Sequence, residues 1–314
     1  MEKTTRAFLA VLAGSALWGL SGTAAQALFE QDGFPALGLG TLRMLAAGAL
    51  LWLIVRPPLP SRWTWKLVAF GLLGLAASQI GYLEAISYSN AVTATLLQFL
   101  FLPMVAGYEV ATGVLRWDRR WAVTFLLAVV GTVLLVGVGP TGELGLTITA
   151  VGVGFGVLSA IGGAYYSLAG RDLVSVGPTG GLMTWGFLVG GLGSLPFGLP
   201  SLIGYRLAGG IGGLETVLLV SFVVIFGTLL PFPLYVRALR HLSATQAGVG
   251  ATFEPIVAAL ATYLFLGVRL SGVEYLGGGL LVLAVLIAGR GRSGPSVGKG
   301  GKGEGKGEAL QDRP

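Results

Sequence analysis

The chain has 314 residues, 54% of them hydrophobic and only 11% charged, with a mean hydropathy of +0.81. Soluble domains carry about 25% charged residues, so this composition excludes a soluble globular protein and points to an integral membrane one. The lack of cysteine excludes disulfides, thiolate metal sites and cysteine nucleophiles, and the formal charge of +6 is spread along the chain rather than gathered into the basic surface a nucleic acid needs.

Stretches of about 17 to 25 apolar residues cross a bilayer as helices. Ten such spans are expected, at 8–29, 34–55, 67–87, 91–114, 121–138, 148–169, 181–197, 216–236, 244–267 and 272–288. The first carries a strip of Ser15, Gly19, Gly22 and Gln26, the second contains Arg43, and the third holds Tyr82. Gln98, Pro103 and Glu109 lie in the fourth. The sixth repeats the small and polar strip as Gly152, Gly156, Ser159, Gly163 and Tyr166. Span eight has Pro231, Pro233 and Tyr235, and span nine has Glu254 beside Pro255. Residues 291–314 are rich in Gly, Lys and Glu, cannot bury a core, and are expected to form a disordered cytoplasmic tail.

The cations orient these spans. Seventeen of the twenty Lys and Arg residues fall before span one, in alternate loops, or after span ten, while the opposite loops hold only Arg206 and Arg269 beside Glu30, Asp32, Glu143 and Glu215. By the positive-inside rule both termini are cytoplasmic in a multi-pass protein of the plasma or inner membrane. Lys3 and Arg6 ahead of an apolar run also fit a cleavable signal peptide, a reading the internal repeat opposes.

Tyr82-Leu-Glu-Ala85 recurs as Tyr235-Val-Arg-Ala238, an offset of 153 residues, and Pro103 and Pro255 are separated by 152. Five spans per copy is an odd number, so two copies joined head to tail enter the membrane from opposite sides. The expected fold is all-α, with ten transmembrane helices as two inverted five-helix repeats, residues 1–142 and 143–290. Glu84 and its counterpart Arg237 then carry the charges that their opposite membrane faces favour.

Trp18-Gly19, the run Leu42-Arg43-Met44-Leu45-Ala46, and residues 235–255 (YVRALRHLSATQAGVGATFEP) followed by Gly267, Leu270 and Gly277 to Gly279 resemble the EamA branch of the drug/metabolite transporter superfamily. The resemblance covers residues 6 to 290. It implies ten helices in two inverted repeats, a central cavity, and transport of small metabolites, very often export of amino acids or related solutes. The chain departs from the family's pattern in having Gly267-Val268 and Gly113-Val114 where Gly-Glu is common. Span one contains no acid, which disfavours the proton-coupled expulsion of lipophilic cations that small multidrug-resistance relatives carry out with a glutamate there.

A charge at mid-bilayer costs at least about 2.5–3.5 kcal/mol, so Arg43, Glu109 and Glu254 each need a partner, water or a function. Glu254 reads either as a coupling or substrate-contacting carboxylate or as a tie to a neighbouring helix or to Arg43. Glu109 shares a face with Gln98 and reads as coupling or, more simply, as a partner of Arg116 or Arg120. Arg43 would hold an anionic group of the solute or a structural carboxylate. Pro103 and Pro255 are expected to break their helices where freed carbonyls line a wet cavity. Tyr82, Gln98, Tyr166, Tyr235, Gln26 and Ser159 are the candidates for solute contact.

No phosphate-cradling loop, Ser/His/Asp set, paired catalytic carboxylates or metal-ligand cluster occurs, and His241 stands apart from other ligands. The expectation is therefore a secondary transporter rather than an enzyme, needing no cofactor. Its partners are a small-molecule substrate and the lipid bilayer, with no nucleic acid, and a proton or solute counter-gradient supplies the energy. A non-coupled facilitator or pore and a proton-coupled drug or cation exporter stay open as alternatives.

Overall fold

A computed structural model describes residues 2–60, 65–89, 91–136, 149–207, 213–266 and 271–289. All regular elements among these residues are helical. Helices suit an apolar chain because they satisfy every backbone N–H and C=O within the segment, where lipid offers no partner. The expected boundary at 142/143 and the tail 291–314 lie outside the described residues.

The chain opens with α1 (Glu2–Asp32) and α2 (Ala36–Val55). α3 (Trp65–Ala69) passes through a π-helical stretch, Phe70–Ala76, into α4 (Ala77–Tyr88). α5 (Ala91–Gln98) and α6 (Phe101–Ala111) share one broken rod, and α7 (Arg119–Val136) follows. Then come α8 (Ala150–Val176), α9 (Thr179–Leu207) and α10 (Leu214–Val224), which continues through a second π-helical stretch, Ile225–Leu229, into α11 (Pro231–Ala238). α12 (Ala244–Ala251) and α13 (Phe253–Leu266) form another broken rod, and α14 (Gly272–Gly289) is last.

Seven of these rods are long and apolar enough to cross a membrane: Lys3–Glu30, Ala36–Val55, Trp65–Tyr88, Ala94–Ala111, Ala150–Val176, Thr179–Arg206 and Leu214–Ala238. The other three expected spans correspond to α7, the α12–α13 rod and α14, which are helical but shorter or interrupted. α9 includes Pro196 and extends ten residues beyond the expected end at 197, through Pro200. Membrane helices tolerate such prolines because neighbouring groups satisfy the freed carbonyls.

The prolines of the two broken rods act differently from a simple mid-helix kink. Pro103 and Pro255 are each the third residue of a new helix, α6 and α13, so their missing N–H falls in a first turn that has no intrahelical acceptor anyway. The breaks themselves lie just upstream, at Phe99–Leu100 and at Thr252.

Helix packing follows the small residues. α2 lies along α9, α7 along α14, α4 along α8, and α1 against α11 and α13. At the α7–α14 crossing a methyl group added to Gly131 would stand 2.9 Å from the Gly277 carbonyl oxygen. Thr41 of α2 donates to Ser194 Oγ of α9 at 3.0 Å. In a bilayer such close approach replaces the hydrophobic driving force, since lipid is as apolar as the helix surface.

Candidate functional site: a central polar cavity

The helices leave a cavity of about 70 Å³ near the middle of the bundle. Both broken rods end on it. Gln98 closes α5 and Phe99 lies in the break, while Ala251 closes α12 and Glu254 sits in the first turn of α13. Trp18, Ser21 and Gly22 of α1, Arg43 of α2, and Ser78, Gln79 and Tyr82 of α4 form further wall. Phe101, Tyr166 and Phe232 add aromatic surface from α6, α8 and α11.

Glycines set the wall positions. An added methyl at Gly19 would come within 2.5 Å of the Glu254 carbonyl oxygen and 3.1 Å of Ala258 N, so α1 and α13 touch backbone to backbone beside the cavity. At Gly81 the same addition would meet Phe155 O at 2.8 Å and Ser159 N at 2.9 Å. This seats α4 on α8 and turns Tyr82 toward the opening, where its hydroxyl lies 3.3 Å from Thr95 Oγ1.

The polar groups of the wall are only partly matched. Arg43 is 7% exposed and donates from Nη2 to the Gln79 carbonyl oxygen at 3.3 Å. Its Nε, the Trp18 Nε1 and both amide atoms of Gln79 are buried without a hydrogen-bond partner. Leaving one buried polar group unmatched costs about 1–3 kcal/mol, so such groups concentrate where something other than the fold uses them. Arg43 and Glu254 line the same space, and no ion pair joins them among the described residues.

The residues singled out from the sequence divide by place. Arg43, Tyr82, Gln98, Tyr166 and Glu254 meet at the cavity. Tyr235 does not line it, contrary to its expected equivalence with Tyr82. Fully buried, it packs behind the wall at ring-centroid distances of 5.5 Å from Tyr166 and 5.6 Å from Trp18, with its hydroxyl 3.2 Å from Ser167 Oγ. Ser159 is buried too and donates to the Ser78 carbonyl oxygen at 2.8 Å, tying α8 to α4.

Gln26 belongs to a second pocket at the helix ends, with Glu30, Phe34 and Glu84, and it donates to Glu30 Oε1 at 2.7 Å. Glu109 lies apart from the cavity. Its side chain, 1% exposed, accepts from Arg171 Nη1 at 3.1 Å and from the backbone N–H groups of Ala244 at 2.8 Å and Thr245 at 3.0 Å. The partner is thus Arg171 rather than Arg116 or Arg120. Glu109 caps α12 from another helix, where a carboxylate matches both the orphan donors and the helix dipole.

Gln79 and the cavity face of Trp18 were missed as site residues. Gln79 lies three residues before Tyr82 on α4, so helical spacing puts the two on one face. A lone amide in an apolar span was the available signal.

Residues 150–290 match the EamA-like transporter family. The uncharacterized inner membrane transporter YicL of Salmonella typhimurium (strain LT2) is 29% identical over 296 residues, covering 91% of this chain and 96% of that protein. The uncharacterized transporter YwfM of Bacillus subtilis (strain 168) is 26% identical over 287 residues, 89% of this chain and 92% of that protein. A solved crystal structure shares the fold at a TM-score of 0.70 and 19% identity, over 90% of this chain and 96% of that one. The chain is a multi-pass membrane protein similar to these transporters, and its region that matches the EamA-like transporter family spans α8 to α14.

Proposed function

We propose that this chain is a secondary transporter of small organic metabolites, an exporter of amino acids or related solutes, working by alternating access around the central cavity. In this reading ten helices form two inverted five-helix units, residues 1–142 and 143–290, with both termini cytoplasmic in the plasma or inner membrane. The observation that carries it is a cavity walled by both broken rods and holding Arg43 and Glu254 without a mutual ion pair. Discontinuous helices meeting mid-membrane are how many secondary transporters build their sites.

The packing supports two related halves. If α1 to α7 correspond to α8 to α14, then α2 and α9 are counterparts and pack together, as do α7 and α14. α1 packs on α11 and α13 of the other half, and its counterpart α8 packs on α4, α5 and α6. Each half also has one rod with a π-helical stretch and one broken three residues before a proline. Exchange of partners between halves is what a pseudo-two-fold axis produces, and rocking about such an axis would expose the cavity alternately to either side.

Counterflow in proteoliposomes containing the full chain tests the proposal. Vesicles preloaded in turn with amino acids, sugars, carboxylates and amines, with and without a pH gradient, should give saturable, trans-stimulated uptake for one class. Linear flux without trans-stimulation would replace the carrier by a facilitator or pore, and flux of amines alone driven by the pH gradient would favour the drug or cation exporter.

A further inference from the structure

Resting on the carrier reading, we infer that the junction of Glu109, Arg171 and the α12 N-terminus is the cytoplasmic gate of the transport path, a latch that parts in each cycle. Three observations lead there. The helices it ties are ones that wall the cavity: Phe101 of α6, Tyr166 of α8 and Ala251 of α12 all line it. Glu109, Arg171 and Ala244 lie eight, five and seven residues from them along the same helices, toward the ends that the cations assign to the cytoplasm. At 1.5 Å per residue, the latch shuts the bundle about 8–12 Å below the cavity.

Beyond the other end of the cavity stands the pocket of Gln26, Glu30 and Glu84, about 510 Å³ in volume. Consecutive residues divide between the two spaces, Ala25 and Leu83 lining the cavity, Gln26 and Glu84 the pocket. Space therefore continues outward from the cavity, while the three-helix junction closes the cytoplasmic side.

The latch is made of groups that water satisfies as well as the protein does. Glu109 accepts from Arg171 Nη1 and from the N–H groups of Ala244 and Thr245, a buried set that parting of the helices would hydrate together. Closed, the junction also carries a defect: Thr245 is 1% exposed and its Oγ1 has no hydrogen-bond partner. An opened, wet seam removes that defect, which narrows the gap between the two arrangements. The junction is thus a two-state element rather than a rigid clamp.

Labelling tests this on the full-length chain, which has no cysteine of its own. Thr245→Cys puts a thiol in the closed seam, and Thr184→Cys, equally buried in the early part of α9, is the comparison. In inverted membrane vesicles an impermeant sulfonated maleimide should label the Thr245→Cys protein and leave the Thr184→Cys protein unlabelled. Adding Arg171→Gln removes the guanidinium but keeps the α12 donors on Glu109. It should speed labelling of Thr245→Cys about tenfold, the equivalent of one charge-assisted hydrogen bond, without exposing Thr184→Cys.

A lock provides the second arm. A methyl at Gly248 of α12 would stand 2.8 Å from Leu102 Cδ1 of α6, so Leu102→Cys with Gly248→Cys sets two thiols across the seam, between latch and cavity. Oxidised to a disulfide by copper phenanthroline in proteoliposomes, this protein should lose counterflow of radiolabelled amino acids, and dithiothreitol should restore it.

A Thr245→Cys thiol as unreactive as that of Thr184→Cys, equal acceleration of both by Arg171→Gln, or a lock that fails to form or leaves counterflow intact overturns the gate. If labelling proceeds as expected but no amino acid exchanges in the unaltered chain, the gate stands and the amino-acid carrier reading falls.

Discussion

Glu109 accepts a hydrogen bond from the backbone N–H of Ala244, 135 residues further along the chain, at 2.8 Å. The same carboxylate takes Thr245 N–H and the Arg171 guanidinium, so α6, α8 and α12 meet on one buried group. α12 runs from this cap to the break that places Glu254 at the cavity. A short helix thus has an interhelical anchor at one end and the site at the other.

Glu109→Ala should be among the most destabilising changes in the chain. It removes an acceptor from three donors and leaves Arg171 unpaired, and breaking a buried pair from one side costs about 3–5 kcal/mol. Arg171→Ala should cost less, because Arg171 is 17% exposed and its loss leaves the two α12 donors satisfied. Melting of both variants in detergent checks the order, and a larger loss for Arg171→Ala would show that the cap contributes little.

Gly19→Ala should lower folded yield, because its methyl would stand 2.5 Å from the Glu254 carbonyl oxygen. Overpacking of this kind costs about 1–3 kcal/mol and would push α1 off α13. Gly154→Ala meets nothing within 4 Å and serves as the tolerated comparison. Gly22→Ala, 3.7 Å from the Tyr82 hydroxyl, should fold normally and alter transport instead. Equal yields for Gly19→Ala and Gly154→Ala would contradict the packing.

The tyrosines should separate by phenotype. Tyr82→Phe and Tyr166→Phe change the cavity wall and should shift apparent solute affinity more than melting temperature. Tyr235→Phe loses the hydrogen bond to Ser167 behind the wall, worth about 0.5–1.5 kcal/mol, and should shift stability with affinity kept. Kinetics and melting curves on the same preparations decide, and an affinity change confined to Tyr235→Phe would reverse the assignment.

Glu254→Gln distinguishes coupling from support. If Glu254 carries protons, the neutral variant should lose gradient-driven transport and retain solute exchange, because exchange needs only the loaded carrier to cycle. If it supports the fold, both activities and the melting temperature should drop together. A folded variant with full gradient-driven transport would exclude both roles.

Topology is directly accessible because the chain has no cysteine, so single-cysteine variants need no altered background. With seventeen cations assigned to one side, a cysteine at Arg116 should react with an impermeant maleimide only from the cytoplasmic face. One at Glu30 should react only from outside. Labelling of Arg116→Cys from outside would invert the arrangement.

Hydropathy alone determined that the chain is helical and membrane-embedded, because lipid makes internally bonded apolar segments the stable choice. The energetic expense of intramembrane charge singled out Arg43 and Glu254, and polarity in apolar spans marked Tyr82, Gln98 and Tyr166. Tertiary structure decided which of the candidates face one another. Periodicity assigns a residue to a face only while the helix stays α, and the π-helical stretches Phe70–Ala76 and Ile225–Leu229 differ in length, shifting the phase ahead of Tyr82 and Tyr235 differently. One tyrosine therefore reaches the wall and the other packs behind it. Likewise Glu109 gained Arg171 and the α12 terminus as partners, not the cations nearest in sequence, because its helix face points into a three-helix junction that only folding assembles.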